Sequence, residues 1–167
     1  MKGMSIIVKT ITRWLKGFIF LFGIYIILFG HITPGGGFAG GIILASSYIL
    51  LTLAFGKDVS LKRLSKLVAS ELDSLGALAF LFVALFGMWF GGTFFLNFIQ
   101  KTNPGEPFRF LSSGIIPICN IAIGIKVGAS LFMVFIILSV LRVVVRKEDS
   151  KLEMVGDKKR HPIKKNK

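Results

Sequence analysis

Acidic side chains, cysteine and histidine are scarce in this sequence: eight Asp and Glu stand against 21 Lys and Arg, with one cysteine and two histidines in 167 residues. The lone cysteine, Cys119, excludes a disulfide framework, and one thiol with two histidines supplies no Cys/His metal site. Its default role is a buried structural thiol. No acidic residue falls deep within a long apolar run, so the chain offers no obvious carboxylate for a cation site of its own inside a membrane. The net charge of +13 raises the question of nucleic acid. Its basic residues flank apolar segments, however, and form no patch interleaved with aromatics, so nucleic acid is not an expected partner.

What the chain has in abundance is apolar surface. It is 53% hydrophobic with 17 phenylalanines, and its mean hydropathy of +0.75 lies well above that of a soluble domain of this size. A bilayer core takes about 20 apolar residues per helix. Four stretches qualify, at about 14–30, 38–55, 74–99 and 115–141. The expected fold is an all-α integral membrane protein with four transmembrane helices forming one domain over residues 1–145, followed by a basic tail over 146–167. A multi-pass protein of the cell membrane in contact with lipid follows. The basic N-terminus with a short apolar run resembles a signal peptide, but no A-x-A-like cleavage site follows it, so the first helix is expected to be retained.

Lysine and arginine placement gives an orientation. Four precede the first span, four (Lys57, Lys62, Arg63, Lys66) lie between the second and third, and ten follow the fourth, while the opposite side receives Lys101 and Arg109. Both termini are therefore expected in the cytoplasm. The run from Lys158 to Lys167 lacks apolar periodicity and is expected to be disordered or draped on anionic headgroups or an acidic partner, or to act simply as a topology anchor. Leu61, Leu64, Leu67 and Val68 alternate with basic residues as a short amphipathic stretch, and Ser70 with Asp73 fits a capping box at the start of the third span. Pro104, Gly105 and Pro107 break helices in an outward loop over 97–113.

The one basic residue left inside a span is Lys126. A cation near mid-membrane costs about 2.5 to 3.5 kcal/mol on insertion scales, so it requires a partner. Arg142, at the cytoplasmic end, is sixteen residues further on, about 24 Å along a helix, too far for snorkelling. Lys126 shares a helical face with Cys119, Ala122, Ile123, Ala129, Ser130 and Met133, and Gly124 and Gly128 lie opposite, so the fourth span is expected to be wedged between other helices. With Glu71 and Asp73 assigned to the cytoplasmic start of the third span, the counter-charge is expected from another subunit or a hydrated cavity. Lys126 is then either a link in an ion path or a fixed inter-subunit ion pair. Asn120 in the same span is a hydrogen-bonding candidate across helices or to water. His31 is a candidate proton carrier, or simply a hydrogen-bonded turn residue.

Gly30 to Gly41 contains six glycines in twelve residues, between the first two spans. Gly36 with Gly40 and Gly37 with Gly41 have the small-xxx-small spacing of close helix packing. A phosphate loop is excluded, since neither the lysine nor the preceding strand is there. The pattern H-x-x-P-G-G-G-F-x-G-G, carried by His31, Pro34, Gly35, Gly36, Gly37, Phe38, Gly40 and Gly41, opens a second span in a small four-span protein. It resembles the MnhB/MrpB subunit family of multisubunit cation/proton antiporters, with Pro117 through Ser130 similar to the family's last-helix segment. Related subunits occur in archaeal membrane-bound hydrogenases and sulfane sulfur reductases. The resemblance implies an accessory membrane subunit of a module that moves Na⁺ and H⁺, packed among other membrane subunits, with no active site, metal or cofactor of its own. A purely structural assembly subunit is the alternative.

Overall fold

The computed structural model describes residues 4–102, 112–145 and 150–154. Contacts divide the chain into two units, Met1–Met133 and Val134–Lys167. Among the described residues six helices follow in order: α1 Ile6–Leu28, α2 Gly36–Phe55, α3 Lys57–Arg63, α4 Lys66–Gly91, α5 Phe98–Thr102 and α6 Ile116–Val140. Four of them, α1, α2, α4 and α6, are long and apolar enough to cross a membrane. The helical membrane fold is thus as the sequence predicts, with changes of boundary that matter for the site.

The α1 helix begins eight residues before the expected span, and its end is closed by a tight turn in which the Ile32 and Thr33 amides both donate to the Phe29 carbonyl. The following backbone is one that few residues other than glycine adopt: Gly35 has φ +135° and Gly36 φ +64°. That reversal sets α2 directly against α1. At the crossing a Cβ on Gly40 would collide with Ile27 and lie 3.0 Å from the Gly23 carbonyl. The other glycine row faces α6, where a Cβ on Gly37 would strike the Asn120 backbone and one on Gly41 would lie 2.8 Å from the Gly124 carbonyl. Of the first row read from spacing, Gly40 thus meets α1 while Gly36 lies by Asn120, and the second row, Gly37 and Gly41, meets α6. Tyr48 continues this junction further along α2, its ring meeting Phe20 of α1 at 6.2 Å and the fully buried Phe132 of α6 at 5.7 Å.

Beyond α2 the amphipathic stretch divides. Buried Ser60 of α3 hydrogen-bonds to Thr52 of α2 at 2.8 Å, which folds α3 back on its predecessor. Leu64 is extended, and Ser65 then caps α4 by accepting from the Val68 amide at 3.2 Å. The cap is Ser65, not Ser70, so Ser70 and Asp73 are not a capping box: Asp73 lies two turns inside the helix. At its other end α4 stops earlier than expected, where Gly92 takes a left-handed conformation with φ +74°. Residues 93–96 turn back along α4, with the Phe95 amide donating to the Ala84 carbonyl at 3.3 Å and the Leu96 amide 2.6 Å from a Cβ position on Gly87. Asn97 joins this return to the approach of α6, accepting from Ile115 N at 3.2 Å and donating to the Ser113 carbonyl at 3.0 Å.

In the second unit, β1 Leu141–Val145 and β2 Ser150–Met154 form an antiparallel pair with Val143 opposite Leu152. The expected boundary at 146 therefore falls between two paired strands, and the β-branched run Val143–Val145 is the signal for them. Pro104, Gly105, Pro107, Arg109 and the run Lys158 to Lys167 lie outside the described residues.

Gly37→Ala is expected to lower stability by about 1–3 kcal/mol through overpacking against Asn120. Gly17→Ala, whose new methyl meets nothing within 4 Å, is expected to be neutral or mildly stabilising. Thermal unfolding of the detergent-solubilised chain, read on both variants in parallel, checks the contrast. Equal melting points would show that the glycine contact is not tight.

Candidate functional site

Two polar groupings lie within the membrane-length helices. The first closes the glycine-rich turn. The opening turn of α2 has no side-chain cap of its own, and its free amides are the orphan donors of any helix start. Asn120 of α6 supplies the acceptor from another helix: its Oδ1 accepts from the Gly37 amide at 3.2 Å. Its Nδ2 is buried without a hydrogen-bond partner and faces Gly30, where a Cβ would lie 3.0 Å away. His31 follows Gly30 in the same turn. Asn120 and His31 thus both belong to the hairpin end of the fold. Among the motif residues, Gly35 and Gly36 make the turn, Gly37 and Gly41 pack on α6, and Gly40 packs on α1. Phe38 is exposed, with 61% of its surface open.

The second grouping contains Lys126. Its ammonium lies 2.8 Å from Asp73 Oδ1 of α4, and the Ser130 hydroxyl donates to the same oxygen. The counter-charge therefore comes from this chain, which corrects the expectation of a partner in another subunit. The misplacement of Asp73 at a helix cap explains the error. With Ser65 as the cap, the amphipathic turn belongs to α4 and carries Asp73 inward. Gly76 is what allows the meeting, because a Cβ there would lie 2.8 Å from the Ala122 carbonyl and 2.9 Å from Lys126 Cβ. Gly76 is three residues after Asp73 and Ser130 is four after Lys126, so each pair shares a helix face. That spacing, Asp-x-x-Gly on one helix against Lys-x-x-x-Ser on another, was the available signal.

The fourth span is wedged as its two small-residue faces predict. Gly124 and Gly128 turn toward α2, where their Cβ positions lie 3.4 Å from the Gly37 and Gly41 carbonyls respectively, while Ala122 and Lys126 turn toward α4. Asn120 and Lys126 accordingly address different neighbours and do not form one path within this chain. Cys119 is buried and free. Among the described residues no three His, Cys, Asp or Glu side chains gather as metal ligands.

Among the described residues the Asp73–Lys126 pair is left half open. The side chains are 45% open for Lys126 and 38% open for Asp73. Asp73 Oδ1 receives both donors, which leaves Oδ2 and two ammonium protons directed to whatever lies alongside. Hydrocarbon cannot satisfy them, since an unmet polar group in that setting costs several kcal/mol.

A family model described as a domain related to the MnhB subunit of Na⁺/H⁺ antiporters matches residues 7–144. The chain belongs to the MnhB family. An uncharacterised protein of Methanocaldococcus jannaschii is 40% identical over 137 residues, covering 78% of this chain and 52% of its own. A Staphylococcus aureus protein that carries the name of antiporter subunit mnhB2 is 36% identical over 94 residues, 56% of this chain and 66% of the relative. Among solved structures, a chain of the membrane-bound sulfane sulfur reductase, an archaeal respiratory membrane complex, superposes with a TM-score of 0.69 at 34% identity. That match covers 82% of this chain and 59% of the other. This MnhB chain thus spans about half to two thirds of the length of the relatives it matches. It is a multi-pass membrane protein.

A double-mutant cycle checks the ion pair. Asp73→Asn or Lys126→Met alone leaves a half-open charge unmatched and is expected to be destabilising, with a coupling of about 0.5–3 kcal/mol that the double variant recovers. Unfolding of the chain in detergent or bicelles reads the coupling, and strictly additive losses would exclude it.

Proposed function

We propose that the chain is an accessory subunit of a Na⁺/H⁺ antiporter-like, ion-translocating module within a larger energy-converting membrane complex, and that it helps to form or seal the ion path. Both termini face the cytoplasm in this reading, as the distribution of lysine and arginine requires. Family membership and the likeness to a chain of a respiratory membrane complex support the setting. The observation that carries the role is the half-open Asp73–Lys126–Ser130 group. Polar atoms left open at the surface of membrane-spanning helices call for a neighbouring subunit or a hydrated path beside them.

The pairing changes what Lys126 can contribute. An unbalanced lysine would repel cations from its surroundings, whereas Asp73 brings the local charge to zero and adds a carboxylate oxygen. The group can then border a cation path as a hydrogen-bonding wall. Redox centres and catalytic sites belong to other chains of the complex, and this chain carries no cofactor. Na⁺ and H⁺ are the ions moved by the assembly. His31 and Asn120 contribute at the hairpin end, where Asn120 holds the motif to α6.

Internal neutralisation of Lys126 also favours the second reading, a subunit needed for assembly alone. Ion flux per assembled complex separates the two. Lys126→Met and Asp73→Asn, each introduced into the complete complex and reconstituted in liposomes, are expected to lower sodium-coupled flux on the order of tenfold at equal subunit content, about 1.4 kcal/mol in the barrier. Unchanged flux with normal assembly would leave the pair as packing and overturn the proposal.

A further inference from the structure

Hydroxyls within the long helices of this chain commonly bond their own backbone. Those of Thr10, Ser46, Ser47 and Ser139 each donate to a carbonyl three or four residues earlier, at 2.7–3.0 Å, the usual arrangement for Ser and Thr inside a helix. Ser130 departs from it. Its hydroxyl crosses from α6 to α4 and donates to Asp73 Oδ1 at 2.5 Å, the length of an O–H···O⁻ bond to a charged acceptor.

The two donors on that oxygen differ in kind. Lys126 is clamped at its root, where its Cβ lies 2.9 Å from a Cβ position on Gly76. Its ammonium ends a flexible four-carbon stem, and 45% of the side chain is open. Ser130 has a single side-chain torsion before its oxygen, so α6 itself fixes where the hydroxyl sits. An aspartate turns readily about its last torsion, whose profile is broad. One ammonium therefore determines neither which carboxylate oxygen it meets nor where the carboxylate stays when it withdraws. A short hydroxyl on the facing helix determines both. With two donors on Oδ1, the lone pairs of that oxygen are taken and Oδ2 is the one left over.

We infer that Ser130 is a positioning residue of this group: its hydroxyl holds the Asp73 carboxylate in register with α6, so that the Lys126 ammonium can leave and return to an acceptor that stays in place. This role rests on the reading above, that the group borders an ion path, and adds which part of it moves. Lys126 swings about its clamped root, while Asp73 and Ser130 form the fixed part. With the ammonium away, the carboxylate keeps one hydrogen bond and one uncompensated charge, which a monovalent cation in the path offsets one for one.

Repeating the Asp73–Lys126 double-mutant cycle in the full chain carrying Ser130→Ala, and again with Ser130→Thr, separates positioning from packing. Ser130→Ala is expected to reduce the coupling between Asp73 and Lys126 to about half or less, and Ser130→Thr, which returns the hydroxyl, is expected to recover most of it. A lower melting point with unchanged coupling would overturn the inference, as would an equal loss of coupling with threonine. In the complete complex reconstituted in liposomes, Ser130→Ala is expected to raise the sodium concentration for half-maximal flux about threefold or more at equal subunit content, with a smaller effect on maximal flux. An unchanged half-maximal concentration where Lys126→Met does lower flux would overturn it as well. The two failures are distinguishable, because full flux in Lys126→Met removes the ion-path reading and leaves the coupling cycle, measured without the complex, to decide the place of Ser130.

Discussion

Everything in the first unit depends on how closely backbone approaches backbone along α2. Gly40 meets Gly23 and Ile27 of α1, and Gly37 and Gly41 meet Asn120, Gly124 and Val127 of α6. Three helices converge where any methyl group would intrude. In a bilayer this matters more than in water, because lipid tails are as apolar as leucine and helices gain little by hiding apolar surface from them. Close contact restores the driving force through dispersion and through interhelical hydrogen bonds. Asn120 adds such a bond at the place where α2 starts, and the start of a helix is where unpaired amides are most costly in hydrocarbon. The turn with positive φ at Gly35 and Gly36 is the geometric condition for all of it.

The same device recurs once more, with a different result. Gly76 lets α4 reach α6, but the residues that flank the contact are Asp73, Lys126 and Ser130 rather than aliphatics. A pair replaced by apolar residues of like volume often folds as well or better, so stability alone is a weak reason to keep charges there. Their openness to the outside is the stronger consideration. An ion pair that is fully enclosed serves packing, while one with a free carboxylate oxygen and free ammonium protons on a helix surface serves whatever adjoins it. The glycine junctions therefore divide by purpose: the one at α2 is closed and structural, and the one at Gly76 holds a polar group at an edge.

Much of this was legible in the chain because it is local. The four spans follow from hydropathy and length, and the glycine rows follow from four-residue spacing, down to which face of α6 carries Gly124 and Gly128. What was not legible is long-range. Asn120 caps a helix 83 positions earlier, and Lys126 finds its partner 53 positions away. No periodicity encodes those distances. The Asp73 error has a more specific origin. Ser70 and Asp73 satisfy a capping pattern, and so does nothing else nearby as neatly, but Ser65 reaches the Val68 amide with its hydroxyl alone and needs no acidic companion. A rule built on two residues won over a cap that uses one. The ribbon of β1 and β2 was missed because a basic, polar tail suggested solvation and the short β-branched run was outweighed.

The start of α4 at Lys66 governs its whole surface. It turns both acidic residues of this segment from cap and headgroup positions into members of a membrane-spanning helix, separated by one residue and therefore facing nearly opposite ways. Asp73 therefore faces α6, and Glu71 lies on the opposite, exposed side of α4. Its exposed aliphatic and aromatic positions further along, Leu81, Phe82, Leu85, Phe86 and Trp89, carry no such polar demand and are compatible with lipid. The polar surface of α4 is confined to its first third, near the Lys66 end, so the charge that α6 must match is met there by Lys126 and Ser130, while the turns toward Gly91 place no polar group in the bilayer.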